Sequence, residues 1–169
     1  MADTNGAEDA AAGNAQPVQT FRLVAQYVKD LSFENPNAPD IYLNEGPAPQ
    51  IAVNVDVQAR PVAAADHFEV TLRFDVEATS GERKAFLIEL SFGGVYHLAG
   101  LPEEHVRPVL LVEGPRMLFP FARRILADLT RECGFPPLLI QPIDFLRLYN
   151  EKMQPSEPLP SDDSILSGS

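Results

Sequence analysis

The chain has 169 residues, 45% of them hydrophobic, enough for one domain with its own core. Thirteen Lys and Arg against 24 Asp and Glu give a net charge of -11, which argues against nucleic acid or an anionic membrane as partner. A single cysteine, Cys133, excludes an internal disulfide framework and any multi-cysteine metal site.

Residues 1–16, MADTNGAEDAAAGNAQ, carry three acids and no bases and are expected to be a disordered tail. They lack the basic start and apolar run of a signal peptide, and nowhere do 18 apolar residues run consecutively. The chain therefore reads as a cytoplasmic protein with no membrane insertion of its own. A single domain is expected over residues 17–153.

From residue 17 the sequence alternates with period 2, the pattern of strands covered on one face. Strand one sets Phe21, Leu23, Ala25, Tyr27 and Leu31 on one side; Thr20, Arg22, Gln26 and Asp30, mixed with Val24 and Val28, fall on the other. It runs into LSFENPNAPDIYLNEGPAP, residues 31–49, where Pro36, Pro39, Pro47 and Pro49 restrict the backbone and Asn35 and Asn37 favour turns. A loop crossing the sheet edge cannot bury Phe33, Ile41 and Tyr42 together without leaving a furrow beneath it. Being stiff, it loses little entropy on ordering and can serve as a preformed wall; the residues fit equally a structural crossover with its aromatics in the core.

Strand two places Ile51, Val53, Val55 and Val57 against Asn54, Asp56 and Gln58. Strand three opposes Phe68, Val70, Leu72, Phe74 and Val76 to Glu69, Thr71, Arg73, Asp75 and Glu77. Strand four sets Phe86, Ile88, Leu90 and Phe92 against Leu87, Glu89 and Ser91, and Gly93-Gly94 reads as a bend at its end. Thr79-Ser80-Gly81-Glu82 joins the last two as a short hairpin. Alternation this clean favours an antiparallel sheet with one wet face. Glu69, Asp75, Glu77 and Glu89 then share that face with Leu87 among them; most acidic faces of this kind are simply solvated, but an apolar residue among the acids also suits docking of a cationic partner.

In the second half the period changes. Leu101-Pro102-Glu103-Glu104 reads as a helix start, with carboxylates at the positive dipole end. Leu118, Phe121, Ala122, Ile125, Leu129 and Cys133 recur at three- and four-residue steps, and Gly134 supplies the stop. Gly114-Pro115 should break or kink this run. At about 1.5 Å per residue, ~31 residues would reach about 46 Å, more than a four-stranded sheet can cover with apolar surface. A homo-oligomer is the expected remedy. A short amphipathic helix, roughly 143–152, follows, and residues 154–169 form an acidic, proline-bearing tail expected to be disordered.

The sequence offers little chemistry. His67, His97 and His105 show no HExxH spacing, and Glu103-Glu104-His105 is best read as a solvated helix start. No GxSxG elbow or phosphate loop is present. Cys133 sits at a negative helix end, which disfavours a thiolate nucleophile. No catalytic residue, metal site or cofactor is assigned.

Four motifs in register resemble the SecB family of bacterial export chaperones. They are Lys29-Asp30-Leu31-Ser32-Phe33-Glu34-Asn35-Pro36-Asn37-Ala38-Pro39; Ala85-Phe86-Leu87-Ile88-Glu89 followed by Gly93-Gly94; Leu118-Phe119-Pro120-Phe121-Ala122-Arg123; and Gly134-Phe135-Pro136-Pro137 with Pro142-Ile143-Asp144-Phe145. The likeness runs from about Phe21 to Met153. It implies an α+β fold: a four-stranded antiparallel sheet with a long helix and a short C-terminal helix on one face. It also implies a homotetramer, a dimer of dimers. The implied activity is binding of unfolded precursor polypeptides without ATP, and delivery to the translocation ATPase SecA. Asp30, Glu34, Leu87 and Glu89 match positions that contact SecA, and Phe33, Tyr42, Ile51, Val53, Leu146 and Tyr149 would line the client groove. Many members carry a tryptophan late in the crossover loop, where this chain has Gly46-Pro47. Two other readings stand beside it: a SecB-like chaperone dedicated to one client such as a toxin, and a hot-dog thioesterase using Glu103 or Glu104.

Overall fold

Period-2 alternation and a long 3.6-period run give one sheet and one helical layer. The computed structural model describes residues 17–43 and 46–153, so the two expected tails lie outside the described residues. The elements are β1 (Thr20–Glu34), α1 (Asp40–Leu43), β2 (Gln50–Pro61), β3 (His67–Ser80), β4 (Arg83–Ala99), α2 (Glu103–Glu132) and α3 (Phe145–Met153). Every strand neighbour is antiparallel, in the order β1-β4-β3-β2.

That order explains the proline-rich segment. β1 and β2 follow each other in the chain but form opposite edges, so residues 35–49 must cross three strand spacings, about 14 Å. They pass round the end where β3 and β4 are joined. Asn37 Nδ2 donates to the Lys84 carbonyl at 2.9 Å, and Ser80 Oγ donates to the Pro47 carbonyl at 2.7 Å. In the turn between β3 and β4, Gly81 takes a φ of 61°, which glycine adopts without Cβ strain.

The core lies between β3, β4 and α2. Val70, Leu72, Phe74 and Val76, with Ile88, Leu90, Phe92 and Tyr96, pack against Leu118, Phe119, Ala122 and Leu126. Phe145 of α3 closes the layer edge-on to Phe119, with ring centres 6.0 Å apart.

Three expectations are corrected. First, β1 does not keep one alternation. Register shifts at Leu23/Ala25 and Val28/Asp30 leave Val24 and Lys29 as extra residues, and each extra residue flips the faces. Ala25 and Tyr27 therefore turn to the outer face, while Val28, opposite the core residue Phe92, turns to the helix side.

Second, Gly93-Gly94 is not a strand-end bend, because β4 runs through it to Ala99. Glycine is required there by close packing. A Cβ on Gly93 would lie 2.7 Å from the Tyr27 ring, and one on Gly94 would lie 2.8 Å from Leu118.

Third, α2 is unbroken for 30 residues although Pro108, Pro115 and Pro120 lie inside it. Each proline removes one backbone donor, but a long helix held by packing survives such losses. Pro115 is fully buried, and the neighbouring Gly114 carbonyl accepts a 2.7 Å hydrogen bond from Tyr96 Oη. Phe121, placed by periodicity with the buried positions, is instead 48% exposed.

Candidate functional site

Two surfaces stand out, one on each side of the sheet. On the outer face the strand register aligns side chains in rows. Glu34 lies beside Leu87, which lies beside Glu77; Ser32 lies beside Glu89, which lies beside Asp75; Asp30 lies beside Ser91, which lies beside Arg73. The first two rows line a concave basin of about 530 Å³, completed by Ala52 and Asn54 of β2. Asp30, Glu34, Leu87 and Glu89, separated by up to 59 positions in the chain, are thus brought to one end of one face. Arg73 bridges Asp75 at 2.9 Å and Glu89 at 3.3 Å, and Lys84 reaches Glu77 at 3.6 Å. Two cations spread over this many carboxylates leave the basin acidic, with half-buried Leu87 as an apolar point within it. The sequence had already pointed to Asp30, Glu34, Asp75, Glu77, Leu87 and Glu89; Ala52 was not placed here, and Asn54 only on the polar side of its strand, because the β2 register alone brings them to the basin.

Glu69 belongs to the same face but not to the acidic surface. It is 3% exposed, covered by Tyr27 and Lys29 from β1 and Arg60 from β2. Tyr27 Oη donates to it at 2.5 Å and Lys29 Nζ at 3.0 Å, while Arg60 binds its other oxygen at 2.6 Å. Burial by itself would raise the Glu69 pKa; the hydrogen bonds from Tyr27, Lys29 and Arg60 outweigh it and hold the carboxyl below its usual range. Burial, then the bond to Glu69, pushes Tyr27 up to about 12. The cluster reaches across all four strands, because Tyr27 lies over Gly93 of β4 to touch β3. Alternation alone had put Glu69 among the solvated acids.

The helix-side face carries the second surface. Along the inner side of β2, Ile51 and Val53 are 46% and 39% exposed, unlike Val55 and Val57 further on, which pack against the core. At the start of this strip a depression of about 220 Å³ is lined by Ile41, Tyr42, Pro47, Pro49 and Phe135. At its far end a notch of about 110 Å³ is lined by Val57, Leu111, Leu148, Tyr149 and Met153 together with Arg107 and Lys152. Lys152 continues round the β2 edge to pair with Asp56.

Of the six residues assigned to a groove, four fall along this strip. Tyr42 and Tyr149 line its two ends, and Ile51 and Val53 lie between them on β2. Leu146 is 49% exposed on α3 and lines neither depression. Phe33 sits deeper, between Phe86 at 5.8 Å and Phe135 at 6.4 Å, and supports the wall rather than facing either depression. Tyr42 is pinned: its hydroxyl donates to the Cys133 carbonyl at 2.6 Å and accepts from Asn35 Nδ2 at 2.6 Å. This ties the crossover loop to the end of α2. Phe135, which touches Phe33, Tyr42 and Phe86, was not singled out by the sequence although it lies in a Gly-Phe-Pro-Pro motif.

Among the described residues, no helix is long and apolar enough to cross a membrane. The model of a family described as preprotein translocase subunit SecB matches residues 14–156. Proteins named protein-export protein SecB from Bradyrhizobium sp. and Parvibaculum lavamentivorans are 47% and 49% identical to the chain. Those matches cover 91% and 89% of this chain, and 92% and 90% of the relatives. A solved structure of a Mycobacterium tuberculosis SecB-like chaperone, in complex with an antitoxin peptide, superposes with a TM-score of 0.60 at 15% identity. It covers 73% of this chain and 90% of the other, a likeness of fold. With a family match that leaves out only the two ends and relatives close to half identical along nearly their whole length, the chain belongs to the SecB family of protein-export chaperones.

Proposed function

We propose that this protein is an ATP-independent holdase whose two faces divide the work. The helix-side strip holds extended, apolar stretches of unfolded precursor, and the acidic outer basin docks the SecA motor. The observation that carries the reading is the strip itself. Ile51, Val53 and Leu146 leave large apolar side chains about half exposed beside two depressions whose linings are mostly apolar and aromatic. Covering such surface contributes roughly 25 cal/mol per Å² and asks for no particular side-chain sequence in the client. No bond need be made or broken, so the protein acts by binding and not as an enzyme.

A single strip binds weakly. A homotetramer that engages one long client at several strips gains through effective concentration. In the docking role, Asp30, Glu34 and Glu89 supply charge for a basic partner segment, and Leu87 supplies a central apolar contact. Because the basin and the strip lie on opposite faces, SecA can dock while a client is still held.

The holdase role is tested by diluting a denatured precursor into buffer without nucleotide. Stoichiometric protein should suppress light scattering, and undiminished aggregation would refute the reading. Docking is tested separately by pull-down with SecA. Leu87→Arg should abolish capture, and Asp30→Ala and Glu89→Ala should weaken it. Wild-type capture by all three would move the docking site elsewhere.

A further inference from the structure

At the end of the outer face away from the acidic basin, His67 opens β3 and stands directly opposite His97 of β4. Ten residues separate His97 from Leu87 along β4, about 34 Å of strand. Nothing in the holdase or docking roles uses this pair. The two rings are 4.9 Å apart centre to centre, with their planes at 54°. We propose that His67 and His97 form a two-imidazole site for a borderline divalent transition-metal ion, of the nickel or copper class.

Three observations support the assignment. The first is spacing. Two imidazoles side by side on one ion, with metal–nitrogen bonds of about 2.0–2.1 Å and an angle of about 90–110°, hold their ring centres about 4.5–5.2 Å apart. The pair is already at that separation, so binding asks for little movement of the backbone.

The second is the tautomer. His67 Nδ1 lies 2.6 Å from the Ala65 carbonyl, which places the ring proton on Nδ1. Its Nε2 then presents a lone pair, the arrangement that an outer hydrogen bond imposes on metal-binding histidines. The carbonyl is itself held in a tight connection. Asp66 takes a φ of 56°, its carbonyl accepts from the Leu98 amide at 2.8 Å, and the His67 amide donates to the Ala64 carbonyl at 3.2 Å. The turn thus fixes His67 against the last residues of β4.

The third is donor chemistry. Imidazole suits nickel, copper and zinc, and copper binds most tightly in that series. Arg22, opposite His97 on β1, works against a cation there, while the chain's net charge of -11 favours one. The Glu69 carboxylate is two residues along β3 but is already engaged by three donors. Among the described residues no group of three or more His, Cys, Asp or Glu gathers round a metal position, so water must complete the coordination. The site differs from the sequence expectation because 30 residues separate the two histidines and only the β3–β4 register brings them together.

Such an ion would clip the start of β3 to the end of β4, and binding to the folded state alone raises the melting temperature. The test uses the full, tag-free chain with Ni²⁺ in equilibrium dialysis and thermal melts. One ion per chain and a melting rise of several degrees are expected for the wild type and for His105→Gln. His67→Gln and His97→Gln should each bind at least tenfold more weakly and lose the rise. Copper on the wild-type chain gives a readout independent of any variant, since its paramagnetic resonance should carry two imidazole nitrogens. Wild-type affinity in either pair variant, loss of binding in His105→Gln, or a single imidazole in the copper spectrum would each overturn the proposal.

Discussion

Gly93 has no side chain because the Tyr27 ring occupies the place where one would begin, 2.7 Å from a Cβ. The glycine lets β1 reach across β4 to the buried Glu69. Gly93→Ala should therefore destabilise by about 1–3 kcal/mol through overpacking, more than the ~0.5–1 kcal/mol gained by replacing a glycine in a strand. In a Tyr27→Ala background the same change should cost much less, and chemical denaturation of the two single variants and the double variant measures that coupling. Glu69 makes a pH prediction at the same scale. Its folded pKa is lowered, so its contribution is complete above the unfolded value of about 4.3 and is lost as pH falls through the lower folded one. Its partners Lys29 and Arg60 are largely solvated, which limits the effect of Glu69→Gln to about 1–2 kcal/mol at pH 7. Urea melts should show that gap shrinking below pH 4. Tyr27 acts with the opposite sign: its contribution holds below pH 10 and is lost as pH rises through about 12.

Between elements, polar contacts decide where irregular segments attach. Thr130 is fully buried near the end of α2. Its hydroxyl accepts from the Leu138 amide at 2.9 Å and donates to the Leu126 carbonyl at 3.0 Å. This anchors the extended stretch that carries the chain from α2 to α3. Thr130→Val keeps the shape but leaves a buried amide without a partner, so a loss of about 1–3 kcal/mol is expected in thermal or chemical melts. The unbroken α2 follows the same logic. Its three prolines lower helix propensity, yet Leu118, Ala122 and Leu126 are fully buried against the sheet, and that packing outweighs the missing donors. In β1 the balance goes the other way: the first extra residue turns Tyr27 to the outer face, and the second restores the alternation, so that Asp30 lies there too.

Seen as a whole, the molecule leaves apolar surface on both edges of the sheet. Val24, Val28 and Leu31 are exposed on β1, and Ile51 and Val53 on β2, while Met117 and Phe121 are exposed on α2. A 30-residue helix is about 45 Å long, and contacts with β2, β3 and β4 cover one side of it. The expected outcome of light scattering at micromolar concentration is a mass near four times the 18.5 kDa of one chain. Phe121→Glu should reduce that mass while leaving the helical circular dichroism intact. A monomeric wild type would refute the assembly.

Much was settled by local pattern. Strict alternation in residues 68–76 and 86–92 fixes which side chains are buried, since the pleat has period 2 wherever no residue is inserted. The same pattern failed in β1, because a bulge changes the face without changing the composition. The acidic surface was legible in outline, yet alternation could not distinguish solvated Glu89 from buried Glu69, whose three partners come from two other strands. Likewise the sequence determined the family, the strand-then-helix order and the apolar and acidic inventories. Only the tertiary structure decided which of these residues meet. The strand order β1-β4-β3-β2 brings residues distant in the chain within a few ångströms of each other, and that proximity arises from hydrogen-bond register and not from spacing along the chain.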